Sequence, residues 1–214
     1  MRILLVAATA AEIRPTLDHL AGEKGEVETL LTGIGMVATT YQLTRHLAAS
    51  TDYGLVLQAG ICGAYDPGLA LGEVVYVQRD RFLGQGAEDR DGRWLSLPEI
   101  GFPAEPPFGA EGWLDADPPP EMLVPYRAVS GGTADRSSGS TATIAQVLRH
   151  YPRVQVESME GAALHYVCRQ FRLPFLQLRA ISNYVEPRDR TKWQIVPAIH
   201  SLNEALRGLI AAAR

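Results

Sequence analysis

Short apolar runs alternate with segments of helical periodicity along most of the chain, and this alternation limits the possible folds more than any other feature. The run at residues 3–7 predicts a strand, and Ile13, Leu17 and Leu20 after it share one helical face. Similar pairs recur up to a final helix predicted at 195–212. Repeated strand-to-helix units favour an α/β domain with a central mixed, largely parallel sheet flanked by helices.

The remaining elements follow from the same patterns. Strands are expected at 29–31, 55–57, 73–78, 127–129, 154–156 and 175–181, and helices at 36–47, 144–148 and 159–171. Eight of the 14 prolines fall between Pro98 and Pro125, so this segment predicts an irregular excursion within one domain that spans residues 1–214. Loops of that length often serve function or subunit contact.

Composition excludes several classes of function. A net charge of −4 argues against general binding of nucleic acid or of anionic membranes. Two cysteines are too few for a disulfide scaffold, and reduced thiols in the cytoplasm are the simpler interpretation. No apolar run approaches the ~18 residues of a membrane span. The five histidines lack metal-ligand spacing, so we expect no metal site.

One motif, at residues 156–163, places two carboxylates and a methionine between a short strand and a helix. An ionised glutamate is seldom buried unless something pairs with it. A carboxylate can accept two hydrogen bonds from a cis-diol, so Glu157 or Glu160 would suit a ribose. A solvated carboxylate pair, or a charge effect at the helix start, explains the motif equally well.

Several other unusual residues also follow the carboxyl ends of predicted strands. They are Glu12, Gly33–Gly35, Gly60–Gly63 and Ser182–Asn183. In open α/β sheets ligands bind in the crevice at those strand ends. Together with the glutamate motif, these residues predict one small-molecule pocket.

Some of these residues permit two interpretations. Glu12 is either a favourable charge in the first helical turn or a general base. The predicted turn from Gly60 to Gly63 is either a simple tight turn or a close approach of backbone to ligand. The Gly33–Gly35 pair lacks the third glycine of a dinucleotide fingerprint, which disfavours a nicotinamide site. Cys62 is best interpreted as a small buried residue.

The last strand is followed by a second group with two possible roles. Asn183 either forms a turn or contacts purine N7 and the 6-position group, because its amide both donates and accepts. Trp193 either stacks on a base or belongs to the core. Arg188, Arg190 and Lys192 form either a solvated surface or a site for a substrate carboxylate.

In their order and spacing, these motifs resemble the nucleoside phosphorylase and nucleosidase superfamily over nearly the whole chain. The residues that carry the resemblance are those at 8–12, 33–35, 60–63, 157–160 and 179–183. Within that superfamily, residues 157–163 and 181–188, together with Trp193, are most similar to futalosine hydrolases.

The resemblance implies a role for each matching position. Glu160 would hold the ribose 2′- and 3′-hydroxyls, with Met159 packed under the sugar. Glu12 would activate the attacking water. Asn183 would contact the purine N7, and Trp193 would stack on the base.

Departures from relatives refine the expectation. Gln58 occupies the position of the phosphate-binding arginine of the phosphorylases, so we expect a nucleophile pocket without a cation and hydrolysis by water. Asn183 stands where adenine-specific nucleosidases have an aspartate. A 6-oxo base such as hypoxanthine needs the donor that an amide supplies.

The resemblance therefore implies a cofactor-free and metal-free hydrolase that releases hypoxanthine from futalosine in menaquinone biosynthesis, as a homodimer or higher homo-oligomer. Arg188 is a candidate for the distal aryl carboxylate, with Arg136, the proline-rich excursion or a neighbouring subunit as alternatives. A nucleosidase for methylthioadenosine, S-adenosylhomocysteine or inosine, a phosphorylase, and a non-catalytic nucleoside-binding protein are the competing interpretations.

Overall fold

The fold was analysed in a computed structural model, which describes residues 1–21, 26–120, 122 and 124–213. Its helices are α1 (Ala10–Leu20), α2 (Met36–Ala49), α3 (Thr141–His150), α4 (Gly161–Phe171) and α5 (Ile195–Ala212). The strands are β1 (Ile3–Ala7), β2 (Val27–Leu31), β3 (Leu55–Ala64), β4 (Val74–Asp80), β5 (Gly86–Glu88), β6 (Trp94–Ser96), β7 (Leu114–Asp115), β8 (Arg127–Thr133), β9 (Val156–Ser158) and β10 (Phe175–Tyr184).

The main sheet is mixed, and five of its strands close into a ring. Strand β3 pairs with β10 in parallel, β10 with β4 antiparallel, and β4 with β8 in parallel. Strand β8 continues to β9 in parallel, and β9 returns to β3 antiparallel. Strands β1 and β2 extend the sheet in parallel from the first half of β3.

One edge of β3 is shared between two neighbours with a gap between them. Strand β1 pairs with Leu55–Gln58 of β3, and β9 pairs only with Gly63 and Ala64. Among the described residues no strand pairs with this edge at 59–62. Backbone groups there can therefore bond to side chains instead of to a neighbouring strand.

Helices cover the extended half of the sheet from both sides. Helices α1 and α5 pack on one face, where Ile13, Leu202 and Leu206 meet Leu5 and Leu57 in a fully buried cluster. Helices α2 and α4 pack on the other face around a second cluster, which contains Leu43, Leu164, Val6, Val56 and Phe175. The predicted α/β class with a mixed, largely parallel sheet is confirmed.

All five predicted helices and the seven predicted strands are present, but β3 and β10 are longer than expected. The turn predicted at Gly60–Gly63 is wrong, because these residues continue β3 and pair with Arg179–Asn183 of β10. Asn183 likewise lies inside β10 and does not follow it. The two strands extend each other, since each supplies ladder hydrogen bonds along the full length of its partner.

The proline-rich segment contains little regular secondary structure in its described part. Between residues 98 and 120 it contains two single 3₁₀ turns and the two-residue strand β7, which pairs with the end of β4. Residues 121 and 123 of the predicted excursion lie outside the described residues. In the described ranges, no helix has the length and apolar character needed to cross a membrane.

A buried asparagine joins α5 to α1. The Asn203 side chain accepts from Thr16 N at 3.0 Å and donates to the Glu12 carbonyl at 2.8 Å. These two backbone groups are four residues apart and would bond to each other in a regular helix. Pro15 lies between them and lacks an N–H group. The amide of Asn203 thus fixes the turn of α1 that carries Glu12.

We expect Asn203→Leu to lower the free energy of unfolding by about 2–4 kcal/mol, because buried backbone groups of α1 would lose their partners. Urea unfolding followed by far-UV circular dichroism measures this change. Glu204→Gln, at the exposed neighbouring position of α5, is the control and should change stability by less than about 0.5 kcal/mol. An equal, small effect of both substitutions would contradict this role of Asn203.

Candidate active site

A cavity of about 330 Å³ opens where β1, β3, β9 and β10 end, beside the gap in the edge of β3. Its walls include seven of the eight residues predicted to form a site, and only Gly60 lies behind the wall. The seven are Glu12, Gly63, Met159, Glu160, Asn183, Arg188 and Trp193. One cavity therefore collects residues that are up to 181 positions apart in sequence, from Glu12 to Trp193.

Glu160 is a buried carboxylate held by two partners. It immediately precedes α4 and is 6% exposed. One oxygen accepts from Gly35 N at 3.0 Å, and the other lies 3.4 Å from Nη1 of Arg179. Gly35 has φ +93°, a conformation that favours glycine. The Gly33–Gly35 turn, which did not suit a dinucleotide, instead fixes Glu160.

Arg179 is a candidate site residue for which the sequence motifs predicted no role. It lies on β10, is 1% exposed, and donates from Nη2 to Gln58 Oε1 at 3.1 Å and from Nη1 to the Ile61 carbonyl at 3.4 Å. A cation at this depth requires a nearby anion, and Glu160 provides it. The detectable signal was a charged residue between apolar neighbours in a predicted buried strand.

Glu12 lies on α1 and reaches the gap in β3. One carboxylate oxygen accepts from Ile61 N at 3.2 Å, where no strand neighbour uses this group. The other accepts from Thr9 N at 3.2 Å and from Thr9 Oγ1 at 3.0 Å. Both interpretations of Glu12 are therefore compatible: it closes a capping box at the start of α1, and it faces the cavity.

Gly60 has a different role from the one predicted. A Cβ atom at this position would overlap Nη1 of Arg179 and would come within 3.0 Å of Oε1 of Glu12. The missing side chain therefore makes room for a guanidinium and a carboxylate, not for a close approach to ligand. Gly63 does line the cavity, and a Cβ there would approach the Asn183 amide at 3.1 Å.

A guanidinium lies near Glu12, although it does not line the cavity. The Arg179 guanidinium and the Glu12 carboxylate both border the space above Gly60, although they do not form an ion pair. Gln58, which replaces the arginine of the phosphorylases, is 1% exposed and serves as an acceptor for Arg179. The Nη1 and Nη2 atoms of Arg179 already donate to Glu160, the Ile61 carbonyl and Gln58, while its Nε has no partner among the described residues.

Glu157 and Glu160 have separate functions, although they belong to one motif. Glu157 accepts from Ser138 N at 2.7 Å and from Ser138 Oγ at 2.6 Å, and Tyr65 OH donates to the same carboxylate. Burial and this neighbouring negative charge raise the pKa of Tyr65, which keeps its proton available to Glu157. Glu157 thereby holds the loop with Ser137 and Ser138 against the cavity.

A β-bulge places Asn183 in the cavity wall. The register between β10 and β3 shifts between Ile181 and Asn183, so Ser182 is an extra residue in β10. Ser182 Oγ donates to Asn183 Oδ1 at 2.8 Å, and Asn183 Nδ2 donates to the Tyr184 carbonyl at 2.9 Å. The amide is thus oriented by its neighbours while remaining partly exposed to the cavity.

Trp193 and the basic cluster form the rim on one side. The guanidinium carbon of Arg188 lies 5.0 Å from the centre of the Trp193 ring, and that of Arg190 lies 5.8 Å away. Lys192 forms an ion pair with Glu186 at 2.9 Å. Of the three basic residues, only Arg188 lines the cavity. The structure therefore supports one of them as a candidate ligand group.

Cys62 faces the cavity but is not a nucleophile. It is 4% exposed, and burial raises the pKa of its thiol to about 12. The prediction of a small buried residue is confirmed.

Because only the thiolate reacts, we expect iodoacetamide at about pH 8 to leave Cys62 unmodified in the folded protein. Burial raises the pKa of Cys168 as well, so the same outcome is expected there. Peptide mass spectrometry before and after denaturation in urea tests this expectation. Rapid stoichiometric labelling of Cys62 in the folded protein would contradict it.

Comparison with known proteins gives a consistent result. Residues 12–212 match the family model of the phosphorylase superfamily. Futalosine hydrolase from Streptomyces coelicolor is 32% identical over 72% of this chain, and the match spans only 64% of that protein. Futalosine hydrolase from Thermus thermophilus is 30% identical over 85% of this chain and 80% of its own.

A solved structure shows the same fold. The 5′-methylthioadenosine/S-adenosylhomocysteine nucleosidase from S. pneumoniae, in complex with a transition-state inhibitor, superposes with a TM-score of 0.79 over the full length of both chains at 19% identity. The relatives found are therefore hydrolases and nucleosidases, which act on N-glycosidic bonds.

Proposed function

The chain belongs to the phosphorylase superfamily, and on that premise we propose that it is a nucleosidase that hydrolyses the N-glycosidic bond of futalosine and releases hypoxanthine. The observation that carries the proposal is the convergence of Glu12 and Glu160 on one cavity from α1 and from the start of α4. Each carboxylate is oriented by backbone N–H donors, so both positions are fixed before a substrate binds.

The two carboxylates would have different roles in the reaction. Cleavage of a nucleoside develops positive charge on the ribose, and Glu160 would bind the sugar hydroxyls and stabilise that charge. Glu12 would take a proton from the water that attacks C1′. Met159 would pack under the sugar. Arg179 would hold Glu160 in the orientation that this binding requires.

Water is favoured over phosphate by the charges of the cavity wall. The described wall contains Glu12, Glu157, Glu160 and Glu186, against Arg188 alone as an arginine. The nearby guanidinium of Arg179 is already bonded to Glu160 and Gln58. A phosphate dianion would meet repulsion without a free cation beside Glu12, whereas neutral water would not.

Asn183 supports a 6-oxopurine as the base. Its amide can donate to N7 or to a 6-oxo group, whereas an aspartate at this position could only accept. The bulge at Ser182 turns the amide towards the cavity. Trp193 would provide a stacking surface at the same end of the cavity, with Arg188 placed to meet the distal aryl carboxylate.

A second copy of the chain would complete the assembly. Ile34, Val37 and Tyr41, at the start of α2, are between 61% and 74% exposed, although they are large and apolar. Such a patch is typical of a contact between subunits. We propose a homodimer that buries this face, in the cytoplasm, where the product would serve menaquinone biosynthesis.

Product analysis tests the function directly. Purified protein would be incubated with futalosine, inosine and methylthioadenosine, each with and without phosphate. Hypoxanthine from futalosine alone, at a rate independent of phosphate, is the expected result. Adenine from methylthioadenosine would instead overturn the assignment of the base, and phosphate dependence would overturn hydrolysis.

We expect Glu12→Gln to lower kcat for futalosine by about 10²–10⁴-fold, because the attacking water loses its base. Asp18→Asn makes the same change of charge on an exposed position of α1 and should leave kcat unchanged within about twofold. Steady-state assays of hypoxanthine release provide the comparison. Near-full turnover by Glu12→Gln would exclude Glu12 as the base.

We expect Asn183→Asp to lower kcat/KM for futalosine by about 10²-fold or more, because a carboxylate cannot donate to a 6-oxo group. The matched measurement uses the 6-amino analogue of the substrate, for which the loss should be much smaller. An equal loss of kcat/KM for the two substrates would show that Asn183 does not distinguish a 6-oxo group from a 6-amino group.

A further inference from the structure

A buried carboxylate lies behind the cavity and has no place in the proposed chemistry. Asp80, the last residue of β4, is 0% exposed. Its Oδ1 accepts from Arg81 N at 2.7 Å and from Thr133 Oγ1 at 3.0 Å, while Oδ2 forms no well-aligned hydrogen bond and has the Gln177 amide beside it. Among the described residues Asp80 forms no ion pair. An unpaired carboxylate at this depth is costly and calls for a function.

The surroundings of Asp80 connect it to the first turn of α4. Thr133 Oγ1 donates to Asp80 and accepts from Ala162 N at 2.8 Å, so one hydroxyl bridges the carboxylate and the helix. A Cβ atom at Gly161 would overlap Oδ2 of Asp80. The carboxylate therefore touches the backbone at the positive end of the α4 dipole, which favours a negative charge.

Glu160 directly precedes Gly161. Two contacts therefore fix the backbone that follows Glu160. Gly161 packs on Asp80, and Ala162 N donates to Thr133 Oγ1. We infer that Asp80 is a positioning residue for Glu160, acting through Thr133 on the first turn of α4. Its effect on substrate binding rests on the proposed function, whereas its effect on the α4 backbone does not.

The charge on Asp80 is set by several neighbouring elements. Burial raises the pKa of Asp80 to about 6, against the lowering effect of the Arg81 and Thr133 donors, the positive charge of Arg179 and the Gln177 amide. The titratable or charged side chains near Asp80 include Arg79 and Arg81 on β4, Cys62 on β3, Asp115 on β7, His165 and Arg169 on α4, and Arg179 on β10.

These neighbours leave Asp80 as the group that titrates near pH 6. Burial lowers the pKa of His165 to about 4, so His165 stays neutral there. The guanidinium groups of Arg79 and Arg81 lie over the ring of Trp113, at 4.5 and 5.0 Å from its centre. As the pH falls through the pKa of Asp80, its negative charge is lost and its contact with the helix weakens.

Two readouts test this inference on the full chain. Amide NMR of Gly161 and Ala162 from about pH 5 to pH 8 reports on the helix without any substrate. We expect both signals to titrate together near pH 6 in the unmodified protein and to show no such titration in Asp80→Asn. In Thr133→Val the Ala162 signal should lose the titration, and Thr133→Ser should restore it.

Kinetics give the second readout. Asp80→Asn and Thr133→Val should raise KM for futalosine about tenfold and lower kcat as well, because the displaced Glu160 both binds the sugar hydroxyls and stabilises the charge on the ribose. Below about pH 6 the KM of the unmodified protein should rise, and that of Asp80→Asn should not follow it. Thr133→Ser should retain a KM within about twofold of the unmodified protein.

A matched control separates positioning from stability. Tyr53→Phe removes a partly buried hydrogen bond to Glu28 near the opposite ends of the strands and should leave KM unchanged. Amide signals of Gly161 and Ala162 that do not titrate in the unmodified protein would overturn the inference. So would a KM of folded Asp80→Asn equal to that of the unmodified protein. Absence of turnover by the unmodified protein would refute the proposed function instead, and the NMR titration would still decide the role of Asp80.

Discussion

The buried pair between Arg179 and Glu160 is the interaction on which the rest of the site depends. It joins β10 to the start of α4, and through Gly35 N and Gln58 it also includes α2 and β3. A buried ion pair adds little net stability compared with an apolar contact, but loss of one partner leaves an uncompensated charge. The fold therefore tolerates little movement of Glu160, and this restriction provides the fixed orientation that recognition of a diol needs.

The closed ring of strands explains why the pocket lies at this position. Strand β9 turns back onto the end of β3, while β1 pairs only with its beginning, so the edge of β3 stays open between them. Glu12 bonds to that edge at Ile61 N. On the opposite edge of β3, the bulge at Ser182 turns Asn183 towards the same space. The two ends of the cavity are thus built on the two edges of a single strand.

Local sequence patterns predicted the helices and the central residues of the strands, because buried and exposed positions alternate within a few residues in each element. They failed at Gly60, where the space left by the glycine is filled by Arg179, a residue 119 positions later. They also missed the hairpin of β5 and β6, whose residues are half-buried or exposed and carry little apolar signal. The site residues were found because carboxylates and amides beside strand ends are rarely needed for packing. Arg179 and Asp80 required the structure, since their partners come from other elements.

The distribution of charge around Glu160 gives a physical reason for hydrolysis in the proposed reaction. Arg179 is a buried cation near Glu12, and its Nη1 and Nη2 donate to Glu160 and Gln58. Asp80 adds a second buried carboxylate near the same guanidinium, so the cluster of Asp80, Glu160 and Arg179 carries a net negative charge when all three are ionised. A negative cluster stabilises an oxocarbenium-like sugar and repels phosphate. In the proposed reaction, the features that would hold the ribose would therefore also favour water as the nucleophile.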